Sequence, residues 1–270
     1  MRVFSMLCGL VAILACGSVG AAKPDRTLLA IARTGQVLHT TSTFAVFWGS
    51  DWHDVGFAGD VIGGLDTYFS GFGGSHLAQM AGEYYDREGG ISATSDYQGH
   101  IVDASGSPSE ADAVGEACRI TNNAPDPNGV YFVFLPTSGT TTGCSNHRWG
   151  TCQRRAPIQV VTVPYMTGDA ADPCPPPEGD TTGHSPQLAS YAKAVTNHLL
   201  ATITNPRGTG WIDGLGQDIA QKCLGTFPPA GINQVFSNGS VWRLRAQWSN
   251  AAYLSGSGLP NNLGQPGCVY

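Results

Sequence analysis

Hydrophobic and polar residues along this chain follow two periods, one typical of strands and one typical of helices. Apolar runs rich in β-branched and aromatic residues predict buried strands over residues 43–48, 130–135 and 158–163. A weaker run predicts a strand over residues 97–102. Apolar residues at every second position from Trp242 to Trp248 predict a late strand. The chain therefore contains several strands that need cover from helices.

Helical spacing appears between these strands. Apolar residues at helical intervals predict helices over residues 55–69 and 75–85, separated by a glycine-rich turn at 71–74. Ser107, Pro108 and Glu110 form a capping-box pattern that predicts a helix running to about Thr121. Ser185, followed by Pro186, predicts the start of a long helix that ends near residue 204.

The order of these elements predicts an α/β fold: a single domain with a mixed sheet and packed helices. The polar segment 137–155 is predicted to be a long loop, and the proline-rich segment 169–183 is predicted to be a second one. The chain shows neither an internal repeat nor a linker between domains. We therefore expect one domain over residues 43–270, preceded by an N-terminal extension over residues 23–42.

Residues 1–22 have the features of a secretory signal peptide. Arg2 supplies a positive charge, an apolar stretch covers residues 3–15, and small residues favour cleavage after Ala21 or Ala22. A loose lipobox at residues 13–16 leaves open a rival interpretation in which Cys16 carries a lipid anchor. We therefore expect a mature protein that is secreted to the cell exterior or the periplasm.

The cysteine content agrees with export. Two of the eight cysteines lie in the signal segment. An even number in an oxidising compartment predicts three disulfides among the other six, which allow fifteen pairings: Cys118, Cys144, Cys152, Cys174, Cys223 and Cys268. Cys144 and Cys152 are close enough in sequence to close a hairpin. The disulfides are expected to stabilise the α/β domain.

The charge pattern excludes two classes of partner. Charged residues make up 13% of the chain and its formal net charge is −6, with no run of Lys and Arg. Nucleic acids and anionic membranes are therefore not expected partners. No segment after the signal is apolar enough to span a bilayer.

The predicted helix over residues 186–204 carries the most informative side chains. One of its faces presents a histidine near the C-terminal end, among residues spaced three or four positions apart: Tyr191, Val195, His198, Thr202 and Asn205. A Gly-Trp-Ile-Asp-Gly turn follows at residues 210–214. This arrangement places His198 and Asp213 in neighbouring elements of the chain.

From this helix onward the sequence resembles a motif of secreted bacterial proteins. Their motif reads H-E-x-x-E-x-x-T-D-P, then G-W-x-D, then G-x-E-x-x-D-K-C, and the similar segments here are 198–206, 210–214 and 216–223. The first strand, a Cys-x-x-His at residues 144–147 and a late cysteine, Cys268, extend the resemblance over most of the mature chain. More distantly, the chain is similar to the plant exordium, or phosphate-induced-protein, family of extracellular proteins associated with cell expansion.

An H-E-x-x-E helix packed on a sheet implies a zincin-like layout. There a His and a Glu on one helix face hold zinc, and the intervening Glu is the general base. This chain departs from the motif at four carboxylate positions, which hold Leu199, Thr202, Asn205 and Gln221. Because a catalytic zinc needs three protein ligands and a base, the metal site is interpreted as eroded.

The residues that remain around this motif define a candidate site: His147, His198, Thr202, Asn205, Asp213 and Asp218. Structural roles compete with that interpretation. His198 also fits a hydrogen-bonded structural histidine, Asp213 fits a turn, and His147 fits an ordering role in a disulfide-rich loop. A joint site of His147, His198 and Asp213 stays open.

The sequence favours a non-catalytic secreted binding protein with no cofactor. Its partner is expected to be an extracellular polysaccharide or protein, because six tryptophans and nine tyrosines in a weakly charged chain suit carbohydrate stacking. The alternative is a zinc-dependent, peptidase-like hydrolase with a rearranged site around His198. A third interpretation, a structural envelope component, follows from the lipobox.

Overall fold

A computed structural model describes residues 27–138, 143–172, 174–226 and 231–270. The strands are β1 (Ala30–Ile31), β2 (Thr41–Trp48), β3 (Ser95–Asp103), β4 (Gly129–Phe134), β5 (Asn146–Thr151), β6 (Pro157–Val163), β7 (Trp211–Ile212), β8 (Ile232–Val235), β9 (Val241–Leu244), β10 (Gln247–Trp248), β11 (Leu259–Pro260) and β12 (Pro266–Val269). The helices are α1 (Val55–Ala58), α2 (Val61–Phe72), α3 (His76–Ala81), α4 (Ala113–Ile120), α5 (Pro186–Thr204) and α6 (Asn250–Ser255). The expected signal peptide and Cys16 lie outside the described residues.

A five-stranded sheet forms the centre of the fold, in the order β3-β2-β4-β6-β5. The first four strands are parallel, and β5 runs antiparallel to β6 at one edge. All six residues of β4 are buried, as expected for a parallel strand covered on both faces. The predicted α/β class with a mixed sheet is confirmed, and the four predicted strands of this sheet lie within two residues of their expected limits.

Side chains that alternate across the sheet divide the core in two. The larger core lies between helices α2, α3 and α5 and the face of the sheet that carries Phe47, Phe132 and Val161. The smaller core packs the opposite face, with Val46 and Val133, against α4. Helices therefore cover both faces, and the long helix with His198 belongs to the larger core.

Helix α5 forms where the sequence predicts it. The Ser185 hydroxyl accepts a hydrogen bond from the Leu188 amide at 3.0 Å, and Pro186 occupies the first turn, where its missing N–H is not needed. The helix ends at Thr204, before Asn205 and Pro206. Almost all of its side chains are buried, and it packs against β4, β5 and β6. The site helix is thus held along its length by the core.

Three predicted helix limits are wrong. The helix expected from Ser107 begins only at Ala113, because residues 110–112 form a turn and Ser109 donates to the Asp112 carboxylate at 2.7 Å. The helix expected over 55–69 breaks at Gly59, whose left-handed backbone (φ 52°) ends α1 before α2 begins. The helix expected over 75–85 ends at Ala81.

The loop expected over residues 137–155 contains a strand. Strand β5 pairs antiparallel with β6 over six residues, from Asn146 opposite Thr162 to Thr151 opposite Pro157. Only one large apolar residue, Trp149, lies in this stretch, so it lacks the pattern that reveals buried strands. Polar side chains are typical of an edge strand, because they discourage pairing with another chain.

Three disulfides join the six cysteines, as predicted: Cys118–Cys152, Cys144–Cys174 and Cys223–Cys268. The hairpin suggested for Cys144 and Cys152 is wrong. Strand β5 lies between these two residues, and six extended residues span about 20 Å. A disulfide requires α-carbons less than about 7 Å apart, so each cysteine bonds elsewhere.

Residues before β2 also contribute to the core. Strand β1 pairs antiparallel with β7, and the side chains of Leu29, Val37 and Leu38 are buried in the larger core. Across the described ranges, no helix has both the length and the apolar character needed to cross a bilayer.

Candidate functional site

A cleft of about 380 Å³ lies beside the C-terminal half of α5. We call it the His198 cleft. Its lining comes from the segment before β5, from α5, from the turn after β7 and from the residue after β9: Gly143, Cys144, Ser145, Asn197, His198, Ala201, Asp218, Ala220, Gln221, Leu224 and Arg245. This volume is at the small end of ligand-binding pockets, which suits a ligand of about one ring.

His198 is held neutral in this cleft. Burial, followed by the charge that His147 would carry, lowers the pKa of His198 to about 4, and the Ser145 carbonyl opposes the shift. Its Nδ1 atom is buried and has no hydrogen-bond partner in the described part of the chain. A purely structural histidine would normally have that nitrogen paired. The imidazole therefore offers hydrogen-bonding capacity that the fold does not use.

His147 lies on β5, a strand that packs against the helix with His198, and it is near enough to affect the pKa of His198. It occupies β5 opposite Val161, and its Nε2 is 2.9 Å from the Gln159 side-chain oxygen. Burial lowers the pKa of His147, partly offset by that hydrogen bond. Two neutral imidazoles thus lie close together beside the cleft, one from the sheet and one from α5.

Asp213 does not join them. Its carboxylate forms a buried ion pair with Lys222 at 2.8 Å, and its Oδ1 accepts the amides of Leu215 and Gln217 at 2.8 and 3.0 Å. Burial alone would raise the pKa of Asp213, but these hydrogen bonds and the Lys222 charge together hold it below its usual value. The turn interpretation accounts for Asp213, since its hydrogen-bonding capacity is used within the fold.

Two further candidates have positions away from the cleft lining. The Asn205 side-chain oxygen accepts the Gly210 amide at 2.7 Å and so closes the turn after α5. The Thr202 hydroxyl is buried within the helix and has no partner among the described residues. Leu199, where the similar bacterial motif has a glutamate, packs in the larger core.

Asp218 does line the cleft. Its Oδ1 accepts the amides of Ala220 and Gln221 at 3.0 and 2.8 Å, which anchors the turn that forms this wall. Burial raises the pKa of Asp218 despite these hydrogen bonds. Asp218 lies in the same cleft as His198 and forms no ion pair with a described residue. Its second carboxylate oxygen accepts no hydrogen bond from the described part of the chain.

Sequence reasoning missed Arg245, Asn197 and Gln221. Arg245 is half-buried, and its guanidinium makes no hydrogen bond or ion pair with any described residue. Burial lowers its pKa. Arg245 lies between Leu244 and Ala246 in an alternating apolar pattern, where a charged residue is expected simply to face solvent. No sequence signal distinguishes it from other surface arginines.

The donor set around α5 does not fit a catalytic zinc ion. Such a site takes three protein ligands, and only the two imidazoles lie together here. Asp213 is neutralised by Lys222, and the Asn205 oxygen is already hydrogen-bonded. Within the described ranges, no group of three or more His, Cys, Asp or Glu side chains is arranged to hold a metal.

A second pocket of about 380 Å³ lies between α2 and β3. We call it the Asp66 pocket; its lining is Asp66, Thr67, Ser70, Tyr97, Gly99, His100 and Asn238. The Asp66 carboxylate accepts hydrogen bonds from Tyr97 and from His100 Nδ1, the latter at 2.9 Å. The Asn238 amide donates to the Thr67 carbonyl at 2.8 Å. The polar groups of the Asp66 pocket thus already form hydrogen bonds with one another.

Comparison of the chain with protein-family models, with curated proteins and with solved structures finds no match. The resemblance to secreted bacterial proteins and to the exordium family therefore stays a prediction.

Proposed function

We propose that this is a secreted, non-catalytic protein that binds a small polar extracellular ligand in the His198 cleft. The observation that carries the proposal is the guanidinium of Arg245, a shielded polar group that lines the cleft and has no partner among the described residues. Such a group costs about 1–3 kcal/mol when left unpaired in a desolvated place. A ligand that supplies the missing partner recovers this free energy on binding.

The non-catalytic character is supported by the residues at the zincin positions. Leu199 is packed in the core and cannot move a proton. The proposed zincin-like layout is supported by the packing of α5 against β4, β5 and β6. The three disulfides are compatible with a protein that works outside the cell or in the periplasm.

Recognition in this cleft is proposed to rely on hydrogen bonds and charge rather than on aromatic stacking. Among the described residues, no aromatic ring other than the imidazole of His198 lines it. Most tryptophans are buried in the two cores: Trp48, Trp52, Trp211, Trp242 and Trp248. Trp149, on β5, is 55% exposed but does not line the cleft. The stacking argument from composition therefore does not extend to this cleft.

A blocking variant tests the binding proposal. The mature protein, made in an oxidising host, is screened for thermal stabilisation by small extracellular sugars and organic acids. Ala201→Phe fills the cleft, and Ser70→Phe in the Asp66 pocket is the matched control. We expect stabilising compounds to lose their effect on Ala201→Phe and to keep it on Ser70→Phe. Equal responses of the two variants would refute a site in the His198 cleft.

Metal analysis tests the alternative, a zinc-dependent hydrolase with a rearranged site. The closeness of His147 and His198, both held neutral, is the observation that favours it. We expect far less than one equivalent of zinc and no peptide cleavage after purification. Stoichiometric zinc that is lost in His198→Ala would establish the hydrolase instead.

A further inference from the structure

The His198 cleft also indicates the chemical class of its ligand, an inference that rests on the proposed function. We propose that the cleft binds the carboxylate of a hydroxylated small molecule, of the uronic acid type, through the guanidinium of Arg245. A ligand hydroxyl then donates to Asp218 on the wall formed by residues 218–224.

Arg245 is a half-buried cation without a counter-ion. It lines the cleft, and no carboxylate of the described residues lies within ion-pair distance of it. Outside the described residues, the chain contains one further carboxylate side chain, Asp25; residues 139–142, 173 and 227–230 have none. A shielded charge is stable only when it is paired, and a guanidinium matches the two oxygens of a carboxylate. An anion from solution is the partner that fits this guanidinium.

Lys193 increases the positive potential near Arg245. It lies on α5 with only 2% of its surface exposed, and its ammonium donates to the Pro175 carbonyl. Burial, and then the positive charge of Arg245, lowers the pKa of Lys193 to about 8. The two cations repel one another, and an anion bound at Arg245 relieves that repulsion.

The wall that carries Asp218 restricts the kind of anion. Asp218 keeps one oxygen free of hydrogen bonds to described residues, and it repels a second negative charge nearby. A doubly charged phosphate is therefore disfavoured, whereas a single carboxylate next to hydroxyl groups suits both walls. Asn197, His198 and Gln221 add uncharged donors and acceptors that match hydroxyls. The small volume of the cleft accommodates one sugar ring.

Calorimetric titration with defined compounds tests this assignment. The probes are sodium galacturonate and glucuronate, with galactose and glucose as neutral counterparts and inorganic phosphate as a competing anion. We expect the uronates to bind at least about tenfold more tightly than the neutral sugars and than phosphate. Arg245→Gln should weaken uronate binding by about tenfold to a hundredfold.

Arg243→Gln is the matched control, because Arg243 lies two residues away on β9 and donates to Asn233 outside the cleft. It should bind the uronates as the wild type does, and both variants should keep the wild-type unfolding temperature to within a few degrees. Tighter binding of phosphate, or equal binding of neutral sugars with no loss in Arg245→Gln, would overturn the carboxylate assignment. In that case a loss in Ala201→Phe would still support a binding cleft. Absence of any ligand sensitive to Ala201→Phe would remove both proposals.

Discussion

The His198 cleft and the Asp66 pocket have the same volume but opposite hydrogen bonding. In the Asp66 pocket the central carboxylate accepts hydrogen bonds from Tyr97 and His100. In the His198 cleft Arg245 and His198 Nδ1 have no partner in the described part of the chain. Pocket size therefore does not mark a ligand site in this protein. Polar groups that the fold shields but does not pair give the better indication.

The ion pairs beside the two pockets also differ in exposure. The His100 and Asp66 side chains are 36% and 35% exposed, so water can also satisfy them. Beside the His198 cleft, the Lys222 and Asp213 side chains are 1% and 2% exposed, and their ion pair is out of reach of water. Lys222 and Asp213 therefore depend on each other, whereas water can also satisfy His100 and Asp66.

The largest expected contrast comes from breaking one ion pair beside each pocket. Lys222→Met leaves Asp213 buried and unpaired, which should lower the free energy of unfolding by about 3–5 kcal/mol. His100→Gln removes an exposed pair and should change it by less than about 1 kcal/mol. Urea denaturation of both variants measures the difference. Similar losses in the two variants would show that the pairs do not differ as their burial indicates.

Two of the disulfides differ in their position relative to the His198 cleft. Cys144 lies in the cleft lining, whereas Cys118 and Cys152 lie in the smaller core on the other face of the sheet. The bridges Cys144–Cys174 and Cys118–Cys152 close loops of similar length, so replacing either pair with serine should cost about 3 kcal/mol. Only the loss of Cys144–Cys174 should also weaken ligand binding. Thermal unfolding and titration of both double variants test this; equal binding would separate the bridge from the cleft.

A smaller effect is expected from pH. The pKa of His198 is about 4 in the folded protein and near its ordinary value of about 6.5 in the unfolded chain. Its contribution to stability is therefore fully present above about pH 6.5 and is lost as the pH falls toward 4, by about 2 kcal/mol at pH 5. His198→Gln should lose less stability than the wild type between pH 7 and pH 5. A fall in His198→Gln that is parallel to that of the wild type would contradict the assignment.

The sequence predicted the elements whose signals are local. Helix α5 has its cap residues in Ser185 and Pro186, and β4 is a continuous apolar run, so both formed as expected. Strand β5 lacked any apolar pattern because an edge strand has little to bury. The helix expected at Ser107 failed because turn hydrogen bonds between Ser109 and Asp112 compete with the cap.

The candidate site was predictable only in part. Which polar side chains form hydrogen bonds or ion pairs with each other depends on the tertiary structure. The helix face revealed His198, and the turn after β7 revealed Asp218. Whether Asp213 is free or tied to Lys222 depends on how the chain folds back, which spacing alone does not show. Arg245 could not be identified for the same reason, since an arginine between apolar residues usually faces solvent and needs no partner.

The disulfide between Cys223 and Cys268 ties one wall of the cleft to a distant part of the chain. Cys223 ends the short turn that carries Gln221, and Cys268 lies 45 residues later on β12. In a reducing compartment that wall would lose its covalent link to β12, whereas an oxidising compartment preserves it.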